Sequence, residues 1–237
     1  MSESKNKDGP TPDSKIRTDD SRQYWESVDA DENGMLGGFQ AISKVDLRGS
    51  RAFLAKLGFG KTSTLRKVRR AVDGGAGIGR ITKNLLIDVS DTVDIVEPIA
   101  KFTAELKDVS GVGHVFNVGL EEWQPMEGVS YDIIWNQWVV GHLTDAQLIK
   151  YLERCKEALS RDEETGRTIG LIVLKENLTR TNEDLFDETD SSVTRHDGSF
   201  KRLFAAAGLK IVRTELQNGL PKQIFPVRMY ALRPKDS

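Results

Sequence analysis

Val68-Arg69-Arg70-Ala71-Val72 runs directly into Asp73-Gly74-Gly75-Ala76-Gly77-Ile78-Gly79-Arg80, and a helix-like stretch over residues 81–86 follows. A short apolar strand that breaks into glycines and then opens a helix is the starting unit of an open α/β sheet. Gly75, Gly77 and Gly79 let the backbone turn tightly and approach a ligand without Cβ collisions. The loop leaves the carboxyl end of its strand, where ligand crevices of such sheets lie. Its spacing is G-x-G-x-G, not the G-x-G-x-x-G of dinucleotide-binding folds.

Outward from this loop the chain alternates. Apolar runs at 68–72, 93–96, 115–118, 133–135 and 169–174 are separated by helix-like stretches, and 209–212 and 227–232 read as two closing strands. The alternation predicts a mostly parallel sheet of seven strands with helices on both faces. The helix after Leu143 is the clearest: Thr144 and Gln147 form a capping-box pattern, and Leu148, Leu152, Cys155 and Leu159 line one face. Cys155 therefore reads as core rather than as a reactive thiol. Phe200, Leu203 and Phe204 mark a further helix. Upstream, Phe53, Leu54 and Leu57 suggest a short amphipathic helix, and the Gly-bearing stretch 33–39 reads as a turn or strap. Residues 1–20 carry almost no large apolar side chains and are expected to be disordered.

Three charged residues flank the glycine loop. Asp73 is placed to hold a ligand's amino group and Arg80 to pair with its carboxylate. Glu97 ends the next apolar run, about 20 residues on, where a carboxylate accepts hydrogen bonds from ribose hydroxyls. Gly60-Lys61-Thr62 imitates the end of a phosphate loop, but the required first glycine would fall on Ala55 and no strand precedes it.

Composition narrows the classes. With 34 basic and 36 acidic residues the net charge is −2, which leaves no electrostatic footprint for nucleic acid. One cysteine excludes an internal disulfide and favours an intracellular protein. No apolar run approaches a membrane span, and the polar start carries no secretory signal. The expected location is cytoplasmic or also nuclear, and the expected state monomeric. The three histidines and one cysteine show no metal-ligand spacing; His114 and His196 read as surface residues.

Three segments carry a more specific resemblance: residues 72–83, then Ile134-Trp135-Asn136-Gln137-Trp138-Val139-Val140-Gly141-His142-Leu143, then Asp187-Glu188-Thr189-Asp190-Ser191-Ser192-Val193. The chain resembles the eukaryotic protein α-N-terminal methyltransferases from about Tyr24 to Pro234. The resemblance implies a Rossmann-like class I methyltransferase fold. It divides the chain into a tail (1–20), an N-terminal helical lid (21–66) and a catalytic domain (67–237) that binds S-adenosyl-L-methionine. The implied substrates are the α-amines of proteins beginning X-Pro-Lys, ribosomal proteins among them. Gly75, Gly77, Arg80, Glu97, Leu120, Glu121 and Gln137 would surround the cofactor. Asn177 would bond the first peptide carbonyl, Trp138 and Leu36 would pack on the proline, and Asp187 and Ser192 would hold the lysine ammonium. Asp190 and His142 would face the α-amine as general bases, with Tyr24, Trp25 and Gly37 in the lid.

Trp135 and Trp138 lie three apart, so both suit a core; Trp135 is assigned there and Trp138 to the site. Two departures stand out: the longer loop 160–166, and Phe225 where some members of the family carry a tyrosine. A methyltransferase for a small amine or a lysine side chain, and a non-catalytic binding module, are the rival readings.

Overall fold

The computed structural model describes residues 10–235. Its strands are β1 (Val68–Gly74), β2 (Ser90–Val96), β3 (Val112–Phe116), β4 (Ile133–Gln137), β5 (Leu171–Asn177), β6 (Leu185–Asp187), β7 (Ser192–Thr194), β8 (Leu209–Leu216) and β9 (Val227–Pro234). Seven form one sheet in the order β3-β2-β1-β4-β5-β9-β8. β1 pairs in parallel with both β2 and β4, so the strand order reverses beside β1 and opens a crevice at its carboxyl end. β9 alone runs against its neighbours β5 and β8. The predicted seven-stranded, mostly parallel sheet is the observed one.

The helices are α1 (Thr18–Ser27), α2 (Glu32–Met35), α3 (Ser43–Lys56), α4 (Ile87–Val89), α5 (Ala100–Thr103), α6 (Asp145–Glu157) and α7 (Asp197–Ala206). Alternate residues of the central strands feed two cores, one on each face of the sheet. Val72, Ile134, Ile172 and Leu174 pack with Leu148, Leu152 and Cys155 of α6 and Phe200 and Phe204 of α7. Ala71, Ile133, Trp135, Leu171 and Val173 pack with Phe53 and Leu54 of α3 and with Leu85 and Leu86. Burial pushes the Cys155 thiol up to about 12, which keeps it an inert core thiol. The capping box of α6 is complete: Thr144 accepts from the Gln147 backbone and Gln147 from the Thr144 backbone.

Several local expectations change. Disorder through residue 20 is corrected for the part described: Pro12–Lys15 forms a 3-10 turn and α1 begins at Thr18. That segment is held by polar contacts to the body, with Asp145 N donating to Asp13 Oδ2 (3.0 Å) and Arg17 N to Ser191 Oγ (2.8 Å). Hydrogen bonds of this range leave no trace in local composition. Residues 1–9 of the expected tail lie outside the described residues. The strap at 33–39 begins as the helical turn α2, capped by Asp31, and only then unwinds through Gly37 and Gly38. Around the acidic residues 187–190, β6 and β7 pair as a hairpin. His196 is half-buried, with Nδ1 3.0 Å from Asp184 and 2.8 Å from Ser199, whereas His114 is exposed. Among the described residues no helix is long and apolar enough to cross a membrane.

Candidate active site

A cavity of about 1040 Å³, counting its open mouth, lies at the carboxyl ends of β1, β2 and β4 and under α1. Of the residues expected at the site, Trp25, Gly75, Gly77, Arg80, Glu97, Leu120, Glu121, Gln137, Trp138 and His142 line it. Asp73 lines it as well. Tyr24, Leu36, Gly37, Asn177, Asp187, Asp190 and Ser192 lie outside this wall. Met35, not Leu36, reaches the cavity, and Leu36 is buried beside it.

The glycine loop and the acid of β2 are one unit. Gly77 N donates to Glu97 Oε2 and Ile99 N to Glu97 Oε1, both at 2.9 Å. Burial raises the Glu97 carboxyl to about 7 despite these donors. Asp73 Oδ2 accepts from Thr82 N (2.9 Å) and Thr82 Oγ1 (2.6 Å), tying the loop to the π-helical turn Thr82–Leu86. Its burial lifts it to about 6. Gly75, Gly77 and Gly79 all have positive φ, so the loop takes a path that other residues resist.

A second loop forms the opposite wall. Trp138 holds φ of +54° and donates its N–H to Lys175 O. Val139 N and Val140 N donate to Glu176 Oε1 at 2.9 and 3.0 Å, while Arg195 donates to Val140 O (3.0 Å) and Leu143 O (2.6 Å). The turn bearing Trp138 and His142 is thus clamped between a buried carboxylate and a buried guanidinium. Burial holds Glu176 at about 7.

Helix α1 closes over this wall. Trp25 Nε1 donates to His142 Nε2 at 3.2 Å, and Ser21 Oγ lies 2.9 Å from His142 Nδ1. Arg22 pairs with Glu121 (2.9 Å) and Glu122 (2.6 Å) across the cavity. Burial lowers the His142 pKa, outweighing the opposing pull of Asp190 and Glu121, so the ring is neutral. Ser21 and Arg22 were missed by sequence reading. A signal existed: Thr18, Ser21, Arg22 and Trp25 follow helical spacing and all line the cavity.

Two buried polar atoms in this region have no hydrogen-bond partner among the described residues: Trp138 Nε1 and Asp190 Oδ1. Asp190 sits in the hairpin turn, near enough to His142 and Tyr24 for its charge to act on both. Asp187 and Ser192 stand opposite each other in the β6–β7 pairing. Asn177 ends β5 and is half-buried. Phe225 is exposed.

Asp46 and Lys175 were also missed. Asp46, fully buried on α3, accepts from Arg80 Nη1 (2.8 Å) and from Gln137 Nε2 (2.9 Å). Nothing in the local pattern of α3 marks it.

The sheet order, the strand-end acid and the glycine loop define a class: an S-adenosylmethionine-dependent methyltransferase. The cavity fits that cofactor: cavity-lining Gly77 holds φ of +53°, a path that other residues resist, Arg80 lines the same wall as a partner for a carboxylate, and each Glu97 oxygen keeps a lone pair beyond its backbone donor. A sequence model of the AdoMet dependent proline di-methyltransferase family matches residues 13–233, and the chain belongs to that family.

Relatives span nearly the whole chain. It is 44% identical to Alpha N-terminal protein methyltransferase 1 of Schizosaccharomyces pombe, covering 92% of this chain and 96% of that one. It is 40% identical to N-terminal Xaa-Pro-Lys N-methyltransferase 1-A of Xenopus laevis, covering 90% and 93%. The solved structure of a Leishmania major SAM-dependent methyltransferase is similar with a TM-score of 0.80 and 38% identity, over 91% of this chain and 82% of that one.

Proposed function

We propose that this enzyme transfers methyl groups from S-adenosylmethionine to the α-amine of proteins whose processed N-terminus reads X-Pro-Lys, ribosomal proteins among them. The observation that carries the reading is the pair of unpartnered buried atoms, the donor Trp138 Nε1 and the acceptor Asp190 Oδ1. A buried polar atom without a partner costs roughly 1–3 kcal/mol. An entering peptide N-terminus offers what both lack: carbonyl acceptors for the indole N–H and amine protons for the carboxylate. The names of the relatives support the same substrate.

The cofactor supplies an electrophilic sulfonium methyl group. The residues of this chain prepare the acceptor. A free α-amine has a pKa of about 7.7–8.0, so near neutral pH much of it is protonated and cannot attack. Asp190 Oδ1 is positioned to take the proton, with neutral His142 beside it. The Trp138 face packs on proline and shields the site from water. Asp187 and Ser192 at the hairpin receive the lysine ammonium. Every transfer but the last leaves an ammonium that must lose a proton before the next attack, and reaction ends at the quaternary ammonium, which has neither a proton to lose nor a lone pair.

The test is mass spectrometry of a Ser-Pro-Lys peptide incubated with enzyme and S-adenosylmethionine. Methylation is expected at the N-terminus and absent from an N-acetylated copy. Methylation of the acetylated peptide on its lysine would overturn the proposal in favour of a side-chain methyltransferase.

A further inference from the structure

One buried cluster behind the wall of the cofactor cavity holds more positive charge than negative. Asp46 pairs with Arg80 at 2.8 Å and with Lys175 at 2.5 Å. Lys175 is wholly buried and donates to Asp46 O (3.0 Å), Ser50 Oγ (2.9 Å) and Gln217 Oε1 (2.9 Å). Ser50 gives its own hydroxyl proton to Asp46 O, so it serves Lys175 as an acceptor. Every neighbour of Nζ is an acceptor, which requires the three N–H groups of an ammonium. Asp46 is the one acid acting on Lys175 among the described residues. Two cations therefore share one carboxylate, leaving one unmatched positive charge. Asp73 feels the charge of Arg80, but its Oδ2 accepts from Thr82 and its carboxylate makes no bond to the cluster.

An uncompensated charge in a buried site is costly, and a pair without Lys175 would already be neutral. A purely structural tie between Asp46 of α3 and Arg80 therefore needs no third ion. Arg80 is the member that faces the cavity. Its Nη2 and Nε make no hydrogen bond among the described residues, and its guanidinium lies 5.5 Å from the Trp138 ring.

We infer that Asp46 and Lys175 are positioning residues for cofactor recognition: Asp46 fixes Arg80 and Gln137, and Lys175 supplies the surplus charge that selects a carboxylate-bearing nucleoside. Asp46 holds Arg80 Nη1 and so directs the rest of the guanidinium into the cavity. Lys175 offsets Asp46, so that Arg80 meets an incoming carboxylate with its charge undiminished. The arrangement rests on the assignment of this cavity to S-adenosylmethionine, and it discriminates against nucleosides that lack the amino-acid group.

The experiment is calorimetric binding of two probes, S-adenosylhomocysteine and 5′-methylthioadenosine, which share the adenosine thioether and differ in the amino-acid group. Lys175→Met is expected to weaken S-adenosylhomocysteine roughly tenfold or more while leaving 5′-methylthioadenosine unchanged. The double variant Asp46→Asn with Lys175→Met restores one unmatched positive charge and is expected to recover most of the S-adenosylhomocysteine affinity. It also keeps the test open if Lys175→Met alone fails to fold, because it replaces both members of the buried Asp46–Lys175 pair. Equal loss of both probes, unchanged S-adenosylhomocysteine binding in Lys175→Met, or no recovery in the double variant overturns the inference. Failure of the unmodified protein to bind S-adenosylhomocysteine overturns the cavity assignment itself, and the inference with it.

Discussion

Trp25 donates its indole N–H to His142 Nε2 at 3.2 Å, and this contact sets the protonation of the imidazole. An acceptor nitrogen carries no proton, so the ring is neutral with its hydrogen on Nδ1, facing Ser21 Oγ. Burial lowers the pKa below the ordinary 6.5, and the indole donor favours the same neutral form. In Trp25→Phe the donor is lost and the His142 pKa is expected to move back up. NMR titration of the His142 ring in both proteins checks this, and an unchanged titration removes the α1 contact from the control of His142.

Since both His142 nitrogens are engaged by α1, the open position for a substrate proton is Asp190 Oδ1. Asp190→Asn is expected to lower turnover by about 100-fold or more, in the range for a general base. Its affinity for S-adenosylhomocysteine is expected to be that of the parent, because Asp190 lies off the cavity wall. Steady-state rates with a Ser-Pro-Lys peptide and calorimetry of the cofactor product separate the two effects. A variant at full turnover excludes Asp190 as the base.

Glu97 predicts proton release on cofactor binding. Its carboxyl stands at about 7 in the folded protein. Ribose hydroxyls donate to the ionised form and so pull that value down, which makes binding tighter as pH rises from 6 to 8. Stability has the opposite sign. Glu97 and Glu176 at about 7 and Asp73 at about 6 lie above their ordinary values of 4.5, 4.5 and 3.8. The stability they contribute is full below those ordinary values and is lost as pH rises through 6 to 7. Thermal melts should therefore show a larger stabilisation by S-adenosylhomocysteine at pH 8 than at pH 6. A pH-independent difference counts against Glu97 as the ribose acceptor.

Gly75 has φ of +70°, and a Cβ there would lie 2.3 Å from Val139 Cγ2. Gly75→Ala adds left-handed strain of roughly 1–2 kcal/mol and pushes on the loop that carries Trp138 and His142. Both stability and S-adenosylhomocysteine affinity should fall. Thr144→Ala is the contrast: it removes a cap worth about 1 kcal/mol, lowers the melting temperature by roughly 2–4 °C and leaves affinity alone. Melting curves and calorimetry on both variants test the distinction. Equal affinity in the two would mean that the Gly75 backbone does not shape the cofactor cavity.

Much of the fold was legible because its signals are local. The alternation of buried strands and amphipathic helices, the capping box at Thr144 and Gln147 and the glycines after Val72 are each written within a few residues. The cofactor side was legible for the same reason, since Gly75, Arg80 and Glu97 fall at set distances from strand ends. The hairpin that pairs Asp187 with Ser192 was visible only as an acidic stretch, because three-residue strands carry too little periodicity to announce themselves.

By itself the sequence determined a seven-stranded mostly parallel sheet, its glycine-loop crevice and the residue types of a methyl-transfer site. Tertiary structure alone decided how those residues are held. Asp46 meets Lys175 across 129 positions, Trp25 meets His142 across 117, and Asp13 caps α6 from 132 positions away. A charged residue on a helix reads as solvated surface until the fold encloses it, and only enclosure makes the loss of water demand a partner. That demand, which no local pattern encodes, turns Asp46 from a surface acid into the anchor of Arg80.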